Sequence, residues 1–442
     1  MIKASPAQLG SGASSKLAPY KLRNEKERSV IACAREIAKN LIMSHEVVSK
    51  ITNHLYCLVF SQHRRTPVHV VKGVLRNTNQ TTSLVYEGSE HSLHQLSSML
   101  FSPSVEVTYV GEFSFRHLDS AISQIPSDII AIRVKKPLIS RYLKTDFLLL
   151  PTVNFVLDLR KPIEEIIRQM SRRRRRDLRK IEESGYTYEV YRRSSEVLDF
   201  FYYKMYLPYV KKRFEKAASI KSYLESEIIY RHNGGVLIVR KEKDYHGGIL
   251  FQIRGKTILA WSLGIYEGNR ELVRSTEAAL FFLVRWAKAH DIETLDYGTS
   301  LPFLKEGIFT YKKEWGMSVK ELDQTVLALK IASLTEGSLL LLQQNPFIIS
   351  DRGAIKGVVL LEGNLNAVEL KDVFSKYYLP TLSSILVLSY SRSMPSKPTN
   401  QTSSRAVRVA TIHELSKPLQ NLCSLMEQSG YKVVATDLVA SK

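Results

Sequence analysis

The sequence predicts a mixed α/β protein with more than one domain. The chain has 442 residues, enough for two or three separately buried cores. Its hydrophobic fraction of 44% and charged fraction of 24% are those of a folded globular chain. From Ile31 onwards, short runs rich in Val, Ile, Leu and aromatic residues alternate with segments of helical periodicity.

Composition and pattern divide the chain into four segments. Residues 1–30 are rich in Ser, Ala, Gly and charge and predict a flexible tail. Residues 31–150, with the runs LYCLVF, PVHVVKGVL, TTSLVY, VEVTYVGEF and DIIAIRV, predict an N-terminal mixed α/β domain. Residues 151–330 predict a second α/β domain of transferase size. Residues 351–442 predict a C-terminal α/β module of βαβ-like order, with a Ser/Pro/Thr-rich linker at 391–404 and no catalytic motif.

The second domain has a recognisable element order. VNFVLDL predicts a strand, KPIEEIIRQM a helix, and residues 195–217 a long aromatic helix. GVLIVRK and GGILFQIRGKTILAWSLGIY then predict adjacent strands, with a hairpin turn at Arg254-Gly255-Lys256. TEAALFFLVRWAKAHD is an amphipathic helix, and IETLDYG is a strand that ends in glycine. This order is an antiparallel meander that leads into a βα unit.

Charge and cysteine content restrict the partners and the compartment. The net charge of +20 favours phosphates, nucleic acid, nucleotide cofactors or an acidic membrane surface. The three cysteines, Cys33, Cys57 and Cys423, are far apart, so we expect neither a zinc site nor a disulfide-linked partner. No apolar run approaches the ~20 residues of a membrane span. We expect a cytoplasmic protein that contacts the inner face of the membrane peripherally, if at all.

Five consecutive arginines lie in the segment MSRRRRRDLRKIEESG (170–185). On a helix at 100° per residue, Arg174 falls about 20° from the centre of an apolar stripe. Asp177, three residues later, is close enough to pair with it. The stripe consists of Ile163, Ile167, Met170, Leu178 and Ile181, and the residues that point mostly to solvent are Arg172, Arg175, Arg176 and Arg179.

Three interpretations of this run remain open. In the first, the run is a solvated helix face with one inward arginine. In the second it is a polybasic tag, and in the third it is a site that binds a phosphate-bearing substrate. A tag fits less well, because such tags usually lie in disordered tails and this run lies in a periodic helix.

Two motifs support a family resemblance that covers about residues 150–320. The pattern R-x-x-[IL]-R-x-x-E-x-x-G resembles the helix that opens the acyltransferase domain of FemAB-like proteins; it is carried by Arg175, Leu178, Arg179, Glu182 and Gly185. These proteins are GNAT-fold acyltransferases and include the Fem-type peptidoglycan-bridge aminoacyltransferases. LDYGTSLPFLKEGIFTYKKEWG (295–316) resembles their "DFG" strand end, glycine-containing loop and "FK-x-x-WG" ending, through Asp296, Tyr297, Gly298, Gly307, Tyr311, Lys312, Trp315 and Gly316. The segment KKRFEKA, with Arg213, is similar to the family's "KRHG" but lacks its His and Gly.

The resemblance implies a GNAT-like fold as a tandem pair, with residues 31–150 as a degenerate first half. It implies transfer of an acyl or aminoacyl group to the amine of an anionic acceptor, such as a cell-envelope precursor or an amino sugar. The segment IYEGNRELVRSTEAALFF departs from the Gly-rich loop with which acetyl-coenzyme-A enzymes hold pyrophosphate at a helix N-terminus, since it has only Gly268. The donor is therefore either acyl-CoA or aminoacyl-tRNA. No metal is expected.

The chemistry needs a donor to the developing oxyanion and an acceptor for the amine proton. No nucleophilic set with histidine is recognisable, so direct attack by the amine without a covalent enzyme is the simpler expectation. Asp296 could orient the amine or accept its proton, although a turn residue that caps Gly298 and Thr299 is the more economical interpretation. Tyr297 could donate to the carbonyl, and Lys312 could stabilise the oxyanion. The substrate-binding candidates are Arg174, Arg175, Arg179, Arg213, Gly298, Tyr311, Lys313 and Trp315.

Two other classes of protein remain open. The first is a non-catalytic nucleic-acid-binding protein, against which the dispersed basic residues and the lack of a recognition motif argue. A transferase that uses aminoacyl-tRNA would itself need a basic surface for tRNA, so the two functions partly merge. The second is a GNAT-fold relic that serves as an assembly module.

Overall fold

The structure is a computed structural model that describes residues 65–135, 138–139, 143, 147–214, 220–351, 353–392 and 407–439. The predicted tail, the predicted strand LYCLVF and most of the predicted linker lie outside the described residues. The mixed α/β class is confirmed. The strands are β1 (Arg65–Leu75), β2 (Thr81–Glu87), β3 (Phe101–Ser114), β4 (Ile129–Lys135), β5 (Leu148–Asp158), β6 (Tyr186–Tyr191), β7 (Gly234–Lys241), β8 (Asp244–Arg254), β9 (Thr257–Ile265), β10 (Thr294–Ser300), β11 (Ser318–Ile331), β12 (Phe347–Asp351), β13 (Ala354–Glu362), β14 (Ser384–Ser391), β15 (Val407–Ala410) and β16 (Lys432–Leu438).

The helices lie between these strands along the chain. They are α1 (Glu90–Leu100), α2 (Phe115–Ile122), α3 (Ile163–Gln169), α4 (Arg172–Glu183), α5 (Ser195–Phe200), a π-helix (Phe201–Tyr206), α6 (Leu207–Phe214), α7 (Tyr223–Arg231), α8 (Arg274–Ala289), α9 (Gly307–Glu314), α10 (Glu336–Gln344), α11 (Ala367–Tyr377) and α12 (Lys417–Gln428).

One continuous sheet joins the first two predicted domains. In the described part of the chain its order is β3-β1-β2-β4-β11-β5-β10-β9-β8-β7-β6. Strand β11 pairs with β4 through Thr325–Ile331 and with β5 on its other side. Strand β5 runs across the boundary predicted between residues 150 and 151. The two halves are therefore hydrogen-bonded side by side along β11, which the local sequence pattern does not reveal.

The predicted meander and βα unit are confirmed. Strands β7, β8 and β9 are antiparallel neighbours, α8 follows, and β10 returns parallel to β9. The apolar run of β7 is buried on both faces: Leu237 and Val239 belong to the core with α8, and Val236 and Ile238 to the core with the π-helix. This double burial explains why GVLIVRK reads as a continuous apolar run rather than an alternating one.

Strands β9 and β10 separate soon after they pair. Their hydrogen-bonded register covers only Thr294–Asp296 opposite Thr257–Leu259. Beyond Asp296, β10 pairs only with β5, and its register there shifts between Asp296 and Thr299. The separation leaves an opening between the two strands at the end of β10.

The C-terminal module matches its predicted order only in part. Strands β13 and β14 are parallel and flank α11, as a βαβ unit requires. Strands β15 and β16, which flank α12, are antiparallel neighbours, so the βαβ-like order predicted for the module is wrong for this part of it. The two faces of this sheet contribute to different cores: Val359 and Val387 pack with the α8 core, and Val358 and Leu386 with the α1 core.

The single helix implied for residues 163–181 is wrong, because the chain breaks between α3 and α4. Met170 is extended, and the Ser171 side chain accepts a hydrogen bond from the backbone N–H of Arg174. Ser171 is thus an N-cap that begins a new helix within the basic run.

The predicted aromatic helix is also irregular. It consists of α5, the π-helix and α6, with Phe201, Tyr202 and Tyr206 buried and Tyr203 exposed. Strand β9 approaches the π-helix closely at Gly264, where a Cβ atom would lie 2.7 Å from the backbone of Met205 and Tyr206. Only glycine permits this approach of strand and helix.

Replacement of Gly264 should therefore loosen this contact. We expect Gly264→Ala to lower the free energy of unfolding by about 1–3 kcal/mol, the usual cost of overpacking. Gly307→Ala is the matched control, because a Cβ there meets nothing within 4 Å. It should be neutral or stabilise slightly. Equal denaturation midpoints for the two variants would show that the close approach is not required.

Candidate active site

Arg174 lies at the centre of a buried charge cluster. It is 1% exposed, and its guanidinium pairs with Glu277 of α8 and, at 3.1 Å, with Glu314 of α9. The burial of Arg174 confirms its predicted inward orientation, and the carboxylate of Asp177 lies 4.0 Å away, at the limit of an ion pair. The rings of Tyr311 and Trp315 lie 4.9 and 5.0 Å from the guanidinium carbon. Arg174 thus joins α4, α8 and α9, and its partners are protein carboxylates rather than the substrate predicted for it.

The two arginines of the family pattern, Arg175 and Arg179, lie apart from this cluster. The Nη1 group of Arg175 donates to the carbonyl oxygens of Arg168 and Met170, both at 2.9 Å, and so caps the end of α3. Arg179 is exposed on α4. Neither residue lines the cavity described below.

Helix α9 directs Lys312 at the turn that ends β10. Its Nζ donates to the carbonyl oxygens of Gly298 at 2.9 Å and Thr299 at 2.8 Å. The side chain is 3% exposed, and burial lowers the pKa of Lys312 to about 8. The structure therefore gives Lys312 a positioning role for this turn. The oxyanion role of Lys312 stays a prediction from the sequence.

The turn also fixes Asp296. Its Oδ1 accepts from the backbone N–H of Gly298 at 2.8 Å, and its Oδ2 accepts from Nδ2 of Asn154 on β5 at 2.9 Å. Gly298 has φ of +75°, a conformation that glycine adopts without strain. The turn-capping interpretation is confirmed for Gly298. Each carboxylate oxygen keeps a further lone pair that could accept from a substrate.

Two buried tyrosines lie beside this turn. The ring centroids of Tyr297 and Tyr311 are 6.3 Å apart. Burial raises the pKa of Tyr297 well above its ordinary value and that of Tyr311 to about 12. Both phenols are therefore neutral at physiological pH and available as hydrogen-bond donors. The contact with the Tyr311 side chain also contributes to the raised pKa of Tyr297.

Strand β9 places Trp261 at the opening between β9 and β10. Trp261 lies two residues after Leu259, the last β9 residue that pairs with β10. The Lys221 ammonium lies 3.8 Å from the centroid of its ring and donates to the Trp261 carbonyl oxygen. The indole Nε1 and the hydroxyl of the adjacent Ser262 are buried without a partner among the described residues.

A cavity of about 990 Å³ is lined by residues from both halves of the sheet. Its wall includes Thr152 of β5 and the end of β10, and strand alternation puts Asn154 on the same face as Thr152. The cavity thus adjoins the side of β5 that carries the Asn154–Asp296 hydrogen bond. Four basic residues and one acidic residue line it: Arg76, Arg133, Arg213, Lys305 and Glu306.

Arg213 is the predicted site residue that lines this cavity. Its guanidinium bonds to the hydroxyl of Tyr209 and lies against that ring. Trp315 is fully buried against Arg174, and Lys313 donates to the Lys376 carbonyl oxygen in the C-terminal module. Gly298 is the turn residue described above.

Sequence reasoning missed Asn154, Lys221, Trp261 and the basic residues of the first half. Asn154 alone had a local signal, since it is a polar residue inside the apolar run VNFVLDL. Arg76 and Arg133 reach the cavity through the shared sheet, a long-range consequence of β11 that no motif marks.

The loop before α8 lacks a phosphate cradle of the Gly-rich type. It forms short 3₁₀ turns at Tyr266–Gly268 and Arg270–Leu272. At Gly268, where φ is +62°, a Cβ would lie 2.8 Å from the Pro208 carbonyl oxygen. The single glycine of this loop is therefore explained by packing on α6.

Neither a protein-family model nor a curated protein matches the chain. Several solved structures do. FemX aligns over 60% of this chain and 84% of its own, with 14% identity and a TM-score of 0.33. L-PGS from Bacillus licheniformis aligns over 59% and 81%, with 11% identity and a TM-score of 0.31. A tandem GNAT protein from the clavulanic acid biosynthesis pathway aligns over 59% and 82%, with 9% identity and a TM-score of 0.27.

These solved structures include Fem-type and GNAT proteins, the family that the sequence motifs resemble. At such low TM-scores and identities, the alignments assign no role to any residue of the site.

Two further observations concern the described residues only. They contain no group of three or more His, Cys, Asp or Glu side chains placed to hold a metal ion. None of their helices combines the length and the hydropathy that a membrane span requires.

Loss of the Arg174 side chain should destabilise the fold. We expect Arg174→Met to lower the free energy of unfolding by about 3 kcal/mol, because it leaves Glu277 and Glu314 without their cation. Arg176→Met on the exposed face of the same helix is the control and should stay within about 0.5 kcal/mol of wild type. Similar urea midpoints for both variants would contradict the central role of Arg174.

Burial of Lys312 should also appear in the pH dependence of stability. Between about pH 8 and 10.5, the folded state has lost a proton that the unfolded state still binds. The free energy of unfolding therefore gains a contribution that rises by about 1.4 kcal/mol per pH unit in this window. We expect Lys312→Met to lack this contribution and Lys320→Met, at an exposed position of β11, to keep it. Parallel stability–pH curves for wild type and Lys312→Met would refute the assignment.

Proposed function

We propose that this chain is a GNAT-type N-acyltransferase that moves an acyl or aminoacyl group from an activated donor to the amine of an anionic acceptor. The observation that carries the proposal is the Asp296–Thr299 turn. Asn154 and Lys312 hold it in place beside a basic cavity, at the opening between β9 and β10.

The cavity supports an anionic acceptor. Arg76 and Arg133 come from the part of the chain before β5, and Arg213 and Lys305 from the part after it, against the single carboxylate of Glu306. A phosphate or carboxylate of the acceptor would be attracted by this excess of positive charge. A cell-envelope precursor or an amino sugar that carries phosphate has the required chemistry.

The turn supports the amine chemistry. In the proposed reaction the amine nitrogen attacks the carbonyl carbon of the donor, and the bond from that carbon to the thioester sulfur or ester oxygen breaks. The free lone pairs of Asp296 would orient the amine and receive its proton, which then passes to the leaving sulfur or oxygen. The neutral phenol of Tyr297 would donate to the carbonyl oxygen as negative charge develops there. Direct attack leaves no covalent group on the protein.

The donor is either acyl-CoA or aminoacyl-tRNA, both of which are cytoplasmic molecules. A cytoplasmic enzyme that contacts the inner face of the membrane peripherally would meet either donor and an envelope precursor. The comparisons give no support to the alternative of a nucleic-acid-binding protein without catalysis.

The test supplies isotopically labelled acyl-CoA or aminoacyl-tRNA, with a panel of phosphorylated and neutral amines, and measures amide products by mass spectrometry. We expect transfer from one donor class, with phosphorylated amines preferred. Absence of transfer from both classes would refute the proposal.

Variants of the turn should affect the rate more than the fold. We expect Asp296→Asn to lower kcat by about 10²–10⁴-fold, as loss of a general base does. We expect Tyr297→Phe to lower it by about 10²–10³-fold, as loss of an oxyanion donor does. Asp372→Asn and Tyr109→Phe, at exposed positions, are the matched controls. A wild-type rate for Asp296→Asn would remove this residue from the mechanism.

A further inference from the structure

The outer face of α4 carries a stripe of exposed basic residues. At 100° per residue, the stripe spans an arc of about 120° and a length of about 12 Å. The opposite face holds Arg174, Leu178 and Ile181 in the core. The exposed basic stripe consists of Arg172, Arg173, Arg176, Arg179 and Lys180.

Most of this charge is not neutralised by the residues that the structure describes. Arg173 lies 3.9 Å from Glu314 and 4.0 Å from Asp177, at the limit of an ion pair. Within the described part of the chain, no carboxylate pairs with the other four members of the stripe. Like charges three and four residues apart on one helix repel each other, so the stripe costs stability in the free protein.

The composition of the stripe fits phosphate groups. Four of its five members are arginines, whose planar guanidinium groups bind phosphate oxygens in a bidentate manner. A row of cations about 12 Å long matches the repeating phosphates of a nucleic acid better than it matches one isolated phosphate group.

A lipid surface fits less well. A helix that lies on a membrane exposes large apolar side chains beside its basic ones. On α4 the large apolar residues, Leu178 and Ile181, are buried in the core. No large hydrophobic side chain of α4 is exposed.

We propose that the exposed basic stripe of α4 binds the phosphate backbone of a structured nucleic acid. The surface is separate from the cavity, since none of its residues lines it. The inference goes beyond the proposed acyl transfer and does not rest on it, because binding alone tests it.

The experiment measures binding of the full chain to uncharged bulk tRNA and to a DNA duplex by fluorescence anisotropy over a series of salt concentrations. Five phosphate contacts predict a slope of about −4.5 for the logarithm of the binding constant against the logarithm of salt concentration. The triple variant Arg172→Ala, Arg176→Ala, Arg179→Ala should reduce the magnitude of that slope by about 3 and weaken binding at low salt. A stronger effect on tRNA than on DNA assigns the surface to RNA, and an equal effect assigns it to nucleic-acid backbones in general; either result supports the proposal.

The matched control removes the same charge from the C-terminal module through Lys371→Ala, Lys417→Ala and Lys432→Ala, all at exposed positions. It should retain the wild-type slope. A third variant, Arg172→Lys, Arg176→Lys, Arg179→Lys, keeps the charge and should retain most of the slope. This variant separates the loss of charge from an effect of the substitutions on folding. Equal losses in the α4 triple and in the control would overturn the proposal. So would loss of binding to phosphatidylglycerol vesicles in the α4 triple with unchanged binding to both nucleic acids.

Discussion

The guanidinium of Arg174 holds together the elements on which the site depends. Because it is buried, the fold must supply carboxylates to it, and it draws Glu277 of α8 and Glu314 of α9 to α4. Two residues before Glu314, α9 carries Lys312, whose ammonium holds the carbonyl oxygens of Gly298 and Thr299. One buried cation thus fixes the helix from which a second buried cation fixes the turn. The conformation of Asp296 is a consequence of both.

A second constraint shapes the cavity. Strand β11 is hydrogen-bonded to β4 on one side and β5 on the other, so the two halves of the sheet have a fixed relative position. Arg76 and Arg133 from one half can therefore face Arg213 and Lys305 from the other across a preformed space. The pairing of the strands and the packing of the cores offset the repulsion among these four cations. An anionic ligand would reduce this repulsion.

Local patterns predicted the meander, the helix α8 and the inward orientation of Arg174, because each depends on hydrophobic periodicity alone. They missed the break at Ser171, although a serine before the arginines is an N-cap signal. Periodicity could not place β11 between β4 and β5, because strand order depends on contacts far apart in sequence. For the same reason it overlooked Asn154, whose amide reaches Asp296 across the pairing of β5 and β10, and Trp261 on β9. The family resemblance, rather than periodicity, made Arg175 and Arg179 substrate-binding candidates.

The proposed chemistry is direct attack of the amine on the donor at the β10 turn. Mass spectrometry of the intact protein, during a single turnover with isotopically labelled donor and an amine acceptor, distinguishes direct attack from a covalent intermediate. We expect the label to appear in an amide of the acceptor while the mass of the protein stays unchanged throughout. Label bound covalently to the protein before it reaches the acceptor would contradict direct attack.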